Sequence, residues 1–214
     1  MRLKMAATVA ALALFLPLAG AQAAAARPVE EIDFPEVPEV AAIYPFYAGG
    51  WRQFVNDPEV IVTTRDCLYS RVGVTAPSGG YALYWGPDPD PSPWEEGGAE
   101  PQVEVYRFNS KARAHRVLDR IRETVTRCYG RFAEGQRVRV RRAAPVPDLG
   151  AETPLAWRTH VKNRPEREAT PEYYGIDIWM RRGRFLILAD VYQLTPPVKA
   201  DAVLLAREAL RSIG

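Results

Sequence analysis

Six residues in the last third of the chain carry side chains suited to chemistry: Arg158, His160, Asp177, Trp179, Asp190 and Tyr192. They fall in segments that alternate apolar and polar residues, the two-residue period of strands. In "PLAWRTHVK", Leu155, Trp157, Thr159 and Val161 take one face, while Arg158 and His160 take the other. If the strands meander, that second face continues to Asp177, Trp179, Asp190 and Tyr192, with Arg139 and Arg141 beyond. Two carboxylates beside an imidazole contain the groups for general acid–base work. The same set, with its aromatic rings and arginine, suits a binding cleft. It also suits a solvated sheet face crossed by salt bridges.

Recognisable catalytic spacings are missing. The chain has no GxSxG elbow, no HExxH, no phosphate-cradling glycine loop and no SxxK. The second histidine, His115, stands beside Arg116 on the polar face of a helix and reads as a solvated surface residue. Two isolated cysteines and two distant histidines do not make a zinc signature. No catalytic residue, metal ligand or cofactor is therefore assigned. Trp94 is a separate candidate. It sits in "GPDPDPSPWEEGGAEP", residues 86–101, with five prolines, three glycines and five acidic residues. Such a composition makes a long loop, and its one tryptophan either packs onto the domain or contacts a ligand.

The N-terminus has the three parts of a secretory leader: "MRLK", an apolar run containing Pro17, and the small-x-small site Ala21-Gln22-Ala23. Cleavage is expected after Ala23, with Ala25 as a neighbouring option. The apolar run is short for a membrane span, which needs about 20 residues, and no second run of that length follows. The mature chain is expected to be soluble and exported, without a membrane span. The whole chain carries 28 Lys and Arg against 26 Asp and Glu; loss of Arg2 and Lys4 with the leader leaves 26 of each. That balance gives no footprint for nucleic acid.

Export places Cys67 and Cys128 where disulfides persist, and with two cysteines only one intramolecular pairing exists. Ala114, Val117, Leu118, Ile121, Val125 and Cys128 recur at spacings of three and four, so Cys128 lies on an apolar helix stripe. A Cys67–Cys128 bridge would close a loop worth about 4 kcal/mol in the chain-entropy model. The alternative is a pair of buried thiols.

The positioning elements follow from the same patterns. Residues 24–47, punctuated by proline and acidic residues, read as an extended surface arm, and "GGWRQFVND" as a short helix. "EVIVTT", "CLYSRVGV", "YALYW", "VEVYRF" and "RVRVRR" read as strands. "NSKARAHRVLDRIRETVTRC" is a helix capped by Asn109 or Ser110. "YYGIDIWMRRGRFLILADVYQ" is a β-hairpin with Arg182-Gly183 at its turn, pairing Met180 with Phe185, Ile178 with Ile187 and Ile176 with Ala189. Ile176, Ile178, Met180, Phe185, Ile187 and Val191 then form its core face. A closing helix follows, with Thr195 as a possible cap and a stripe of Ala202, Val203, Ala206, Ala209, Leu210 and Ile213. The expected fold is α+β: one domain over residues 48–214, mostly an antiparallel curved sheet, with both amphipathic helices packed on one face.

The order "VEVYRFNSKARAHRVL…RC", then strands, then "RRGRFLILADVYQ" and a terminal helix resembles the PknH-like extracellular sensor domain family. That family contains ectodomains of bacterial serine/threonine receptor kinases and stand-alone exported relatives. The resemblance covers roughly residues 60–213. It implies an antiparallel sheet with helices and a cleft regarded as a ligand site. The family commonly has two disulfides, where this chain can make one. With no kinase domain, a signalling role would act through a partner.

Three functional readings follow: a secreted, non-enzymatic, sensor-like binding domain; a secreted hydrolase of unrecognised type; or a structural or interaction protein of the cell envelope. The expected partner is an unknown small molecule or an envelope protein.

Overall fold

The computed structural model describes residues 27–62, 72–88, 98–127, 132–134, 137–163 and 172–213. The leader, Cys67, Cys128 and Trp94 lie outside the described residues, so the expected cleavage, disulfide and loop contact do too.

The first described segment departs from the expected surface arm. Its prolines and acidic residues build helical turns, among them the short helix α1 (Val37–Ala41). Val29, Phe34, Val40, Tyr44 and Tyr47 point from those turns into the main core. Arg52 fastens them, donating to the carbonyls of Phe34 at 2.9 Å and Pro35 at 2.7 Å. Tyr84 Oη donates to the Pro35 carbonyl at 2.9 Å. The segment expected as a short helix, "WRQFVN", is the strand β1 (Trp51–Asn56). It alternates in pairing with its neighbour, and Trp51 stacks on Trp85 at 5.5 Å.

The remaining elements are β2 (Glu59–Val62), β3 (Val72–Thr75), β4 (Ser78–Trp85), β5 (Glu100–Arg107), α2 (Lys111–Arg127), β6 (Phe132–Glu134), β7 (Arg137–Ala143), β8 (Glu152–Asn163), β9 (Tyr173–Arg182), β10 (Phe185–Gln193) and α3 (Lys199–Ser212). β2 and β3 form a small hairpin sheet. The other eight strands form one open sheet in the order β1-β4-β5-β10-β9-β8-β7-β6, every described pair antiparallel. The fold is a single α+β domain, as the sequence patterns imply.

The helices, however, lie on opposite faces of the sheet. α3 places Ala202, Leu205, Ala206 and Ala209 against Ile176, Ile178, Met180, Ile187, Ala189 and Val191. α2 places Ala114, Val117, Leu118 and Ile121 against Tyr106, Trp179, Leu186 and Leu188. Topology explains the difference. α2 carries the chain from β5, inside the sheet, to β6 at the far edge, and so it crosses β10 and β9 on one face. α3 follows β10 and folds back on the other. Ser110 caps α2, its Oγ accepting from the Arg113 N–H at 3.2 Å. α3 begins with Val198 in the cap position and no side-chain cap, while Thr195 Oγ1 accepts from Gln193 instead.

The late hairpin keeps its expected faces with a shifted turn. Gly183, at φ +60°, and Arg184 form the turn, so Phe185 pairs with Arg182 and Ile187 with Met180. Moving the turn by one residue changes each cross-strand partner by two positions. The side-chain period is also two, so each side chain stays on its face. Ile176, Ile178, Met180, Ile187 and Val191 are buried, and Phe185 is half-buried at the hairpin tip.

Candidate binding surface

Because β10 sits at the centre of the sheet, the α2 face carries polar residues in cross-strand rows. Gln102, Asp190, Asp177 and Trp157 stand opposite one another on β5, β10, β9 and β8. On one side of this row lie Glu104, Leu188, Trp179 and Leu155; on the other lie Glu100, Tyr192, Gly175 and Thr159. Trp157, Trp179 and Leu188 belong to the apolar cluster beneath α2. The carboxylates therefore begin where that cluster ends.

Asp177 is buried and well served: Tyr192 Oη donates to its Oδ1 at 2.8 Å and Thr159 Oγ1 to its Oδ2 at 2.9 Å. Glu104 accepts from Tyr106 Oη at 2.6 Å and from Gln102 Nε2 at 2.9 Å. Burial still pushes its carboxyl up to about 6, the two donors opposing and the Asp177 and Asp57 charges adding. Asp190 is 7% exposed, and its Oδ1 is buried with no hydrogen-bond partner among the described residues. Burial holds its carboxyl well above the ordinary range, followed by repulsion from Glu104, Asp177 and Glu100. Burial likewise raises the Tyr106 phenol, which stays a donor at ordinary pH.

Gly175 is what lets Tyr192 reach Asp177. A Cβ at this position would lie 2.4 Å from Tyr192 Cε1, so the ring rests directly on the bare backbone of its cross-strand partner. Gly175→Ala is expected to displace the ring and destabilise by about 1–3 kcal/mol, the usual cost of overpacking. Tyr192→Phe should cost about 1 kcal/mol in the wild type, one hydrogen bond's worth. In the Gly175→Ala background it should cost almost nothing, because the bond is already gone. Thermal melts of the four proteins measure this coupling, and equal costs in both backgrounds would refute the role given to Gly175.

The other two expected residues of this surface are not on it. Arg158 pairs with Ile176 and His160 with Tyr174, which puts both on the α3 side of the sheet. His160 stacks on Tyr174 with ring centres 4.1 Å apart, and its Nε2 lies 2.9 Å from Glu172 Oε2. The hairpin turn fixes parity between β9 and β10. A long connection separates β8 from β9, and β8 is irregular between Glu152 and Leu155. Nothing local therefore fixes which alternate set of β8 faces Asp177. Thr159, on the set read as apolar, is the residue that meets it. His115 pairs with Asp119 at 3.1 Å on the outer face of α2.

Sequence reading missed Glu104, Gln102, Tyr106 and Gly175. The signal for Glu104 was present: in "VEVYRF" it shares a strand face with Tyr106 and Phe108, a carboxylate on an otherwise aromatic face. Among the described residues, no group of three His, Cys, Asp or Glu side chains is placed to hold a metal ion. No helix of the described residues is long and apolar enough to cross a membrane.

No protein-family model and no curated protein sequence matches the chain. Solved structures are similar to the chain, among them two mycobacterial ones. The extracellular domain of PknH from Mycobacterium tuberculosis superposes with a TM-score of 0.56 at 12% identity, covering 87% of this chain and 97% of that one. An uncharacterised protein of Mycobacterium smegmatis matches with a TM-score of 0.41 at 10% identity, covering 85% of this chain and 98% of that one. The first match runs over nearly the whole length of that extracellular domain, and the chain has a PknH-like ectodomain fold.

Proposed function

We propose that the chain is an exported, non-enzymatic, sensor-like domain that binds a ligand on the α2 side of β9 and β10, around Asp177, Asp190, Trp179 and Tyr192. The observation carrying this reading is Asp190. A carboxyl buried among other carboxyls, with one oxygen lacking a donor, costs stability. Groups of this kind concentrate at functional sites. A ligand presenting a hydroxyl or ammonium group would supply the missing donor. The fold supports the reading, since the extracellular domain of PknH has a similar fold. The leader pattern of residues 1–23 supports export, and export supports the Cys67–Cys128 bridge.

Native mass spectrometry tests the ligand. Protein exported from a bacterial host is expected to carry a co-purifying mass that collisional activation removes. Asp190→Asn should lower its occupancy about tenfold, by removing a charge-assisted hydrogen bond. An adduct-free wild type, or one whose occupancy ignores Asp190→Asn, would remove the basis for the site. The same preparation reports on export and cross-linking. The expected product begins at Ala24, gains two hydrogens on reduction, and resists alkylation until then. Thiols that alkylate without reductant would exclude the bridge.

A further inference from the structure

The face opposite Asp190 carries a second, independent arrangement. β7 and β8 pair so that Arg142 stands opposite Arg158, Val140 opposite His160 and Val138 opposite Lys162. Arg142, Arg158, His160 and Lys162 therefore project on one side of the sheet. With Tyr174 they line a cavity of about 230 Å3. Like charges directly opposite on neighbouring strands destabilise a sheet, so a purely structural surface would place a carboxylate between them. The one carboxylate paired there among the described residues, Glu172, is taken by His160. No described carboxylate lies within ion-pair distance of Arg142, Arg158 or Lys162. Tyr174 and His160, stacked 18° from parallel, wall the cavity with a flat aromatic surface.

We infer that this cavity is an anion site for a phosphate group, gripped by Arg142 and Arg158 with Lys162 adding charge. Directly opposite residues on antiparallel strands lie about 5 Å apart, so both guanidinium forks reach one tetrahedral anion. Planar forks match phosphate oxygens bidentately, which a single ammonium cannot do. More than one fixed cation suits a dianion better than a monoanionic carboxylate. The phosphate can belong to a soluble phosphoester or to the headgroup of an anionic phospholipid. The site goes beyond the proposed ligand surface around Asp190 and does not depend on it.

The test uses the full mature chain and two probes: inorganic phosphate, and vesicles of phosphatidylglycerol in phosphatidylcholine. Chloride at matched ionic strength is the control. Saturable phosphate binding by calorimetry, absent with chloride, is the expected result for a soluble source. Sedimentation with the phosphatidylglycerol vesicles and not with pure phosphatidylcholine is the expected result for a lipid source. Either should weaken about tenfold or more in Arg142→Ala/Arg158→Ala, since each arginine supplies charge-assisted bonds. Arg158→Glu distinguishes binding from folding. It replaces two opposed cations by a cross-strand ion pair, so Tm should rise by about 1–4 °C while binding is lost. Asp190→Asn should leave both probes bound as in the wild type. Failure of both probes to bind, or equal binding by the double variant, would overturn the site. A fall in Tm for Arg158→Glu would show that the arginines serve the fold.

Discussion

Ile178→Asp is expected to abolish the cooperative thermal melt. Ile178 is fully buried, between Ala156 on β8 and Ala189 on β10 and beneath α3. Deleting its methyl groups costs about 2–5 kcal/mol through lost transfer and cavity formation. A carboxyl in the same place adds several kcal/mol more, because no donor waits for it. Domains of this size hold about 5–15 kcal/mol in total, so the two terms together reach the whole of it. Leu204→Asp on the exposed face of α3, 41% exposed, should melt like the wild type. If Ile178→Asp melted normally while Asp177→Ala lost all structure, the two faces of the hairpin would be exchanged.

The second large effect is an inverted dependence of stability on pH. Most proteins lose stability as acid protonates their paired carboxylates. Glu104 and Asp190 work in the other direction, since burial and mutual repulsion raise their native pKa above the unfolded value. Well below pH 3.8, the lower of the two ordinary values, both states carry the protons and the native fold has its full stability. As pH rises from about 4 to about 6, the unfolded chain releases protons that the native chain retains, and stability falls. Glu104, raised from 4.5 to about 6, accounts for about 2 kcal/mol of that loss. Asp190 extends the decline to higher pH. The described side chains facing these groups reinforce the result: Asp177, Glu100, Asp57, Tyr106 and Gln102, with the apolar stripe of α2 beside them. Tm is expected to be about 4–8 °C higher at pH 5 than at pH 7.5. Asp190→Asn should raise the melt at pH 7.5 and flatten the profile. A wild-type Tm that falls on acidification from pH 7.5 to 5 would show that these carboxyls find cations or solvent in solution.

Local chemistry decided which parts of this structure were legible in the sequence. A two-residue period with a tight glycine turn assigns every side chain of the β9–β10 hairpin to a face, even with the turn misplaced by one residue. The stripes of α2 and α3 were equally plain. Long-range pairing was not. Trp179, Leu186 and Leu188 on the second face of the hairpin already mark a strand pair buried on both sides. That is incompatible with two helices sharing one face, and the observed layers follow from it. The division of Arg158 and His160 from Asp177 depended on a register that no turn specifies. The N-terminal core residues were hidden because Pro35, Pro38 and Pro45 interrupt the segment: Val40, Tyr44 and Tyr47 stand four and three apart, a helical spacing, yet no single long helix carries them. Short helical turns broken by proline place them one at a time. Candidate chemistry was thus readable as residue types, and only the fold divided it into an acidic surface and a basic one.

The order of the strands also bears on synthesis. β10 lies between β5 and β9, so the last strand made is the one that joins the two halves of the sheet. Until residue 193 has emerged, β1-β4-β5 and β6-β7-β8-β9 share no ladder, and each half presents an open inner edge. Neither half has α3 to cover its apolar side, because that helix is still later in the chain. Vectorial folding from the N-terminus therefore stops short of a finished layer until β10 is free to pair with both β5 and β9. Until β10 docks, the edges of β5 and β9 stay unpaired with matching hydrogen-bond patterns, the starting point for exchange of β10 between chains.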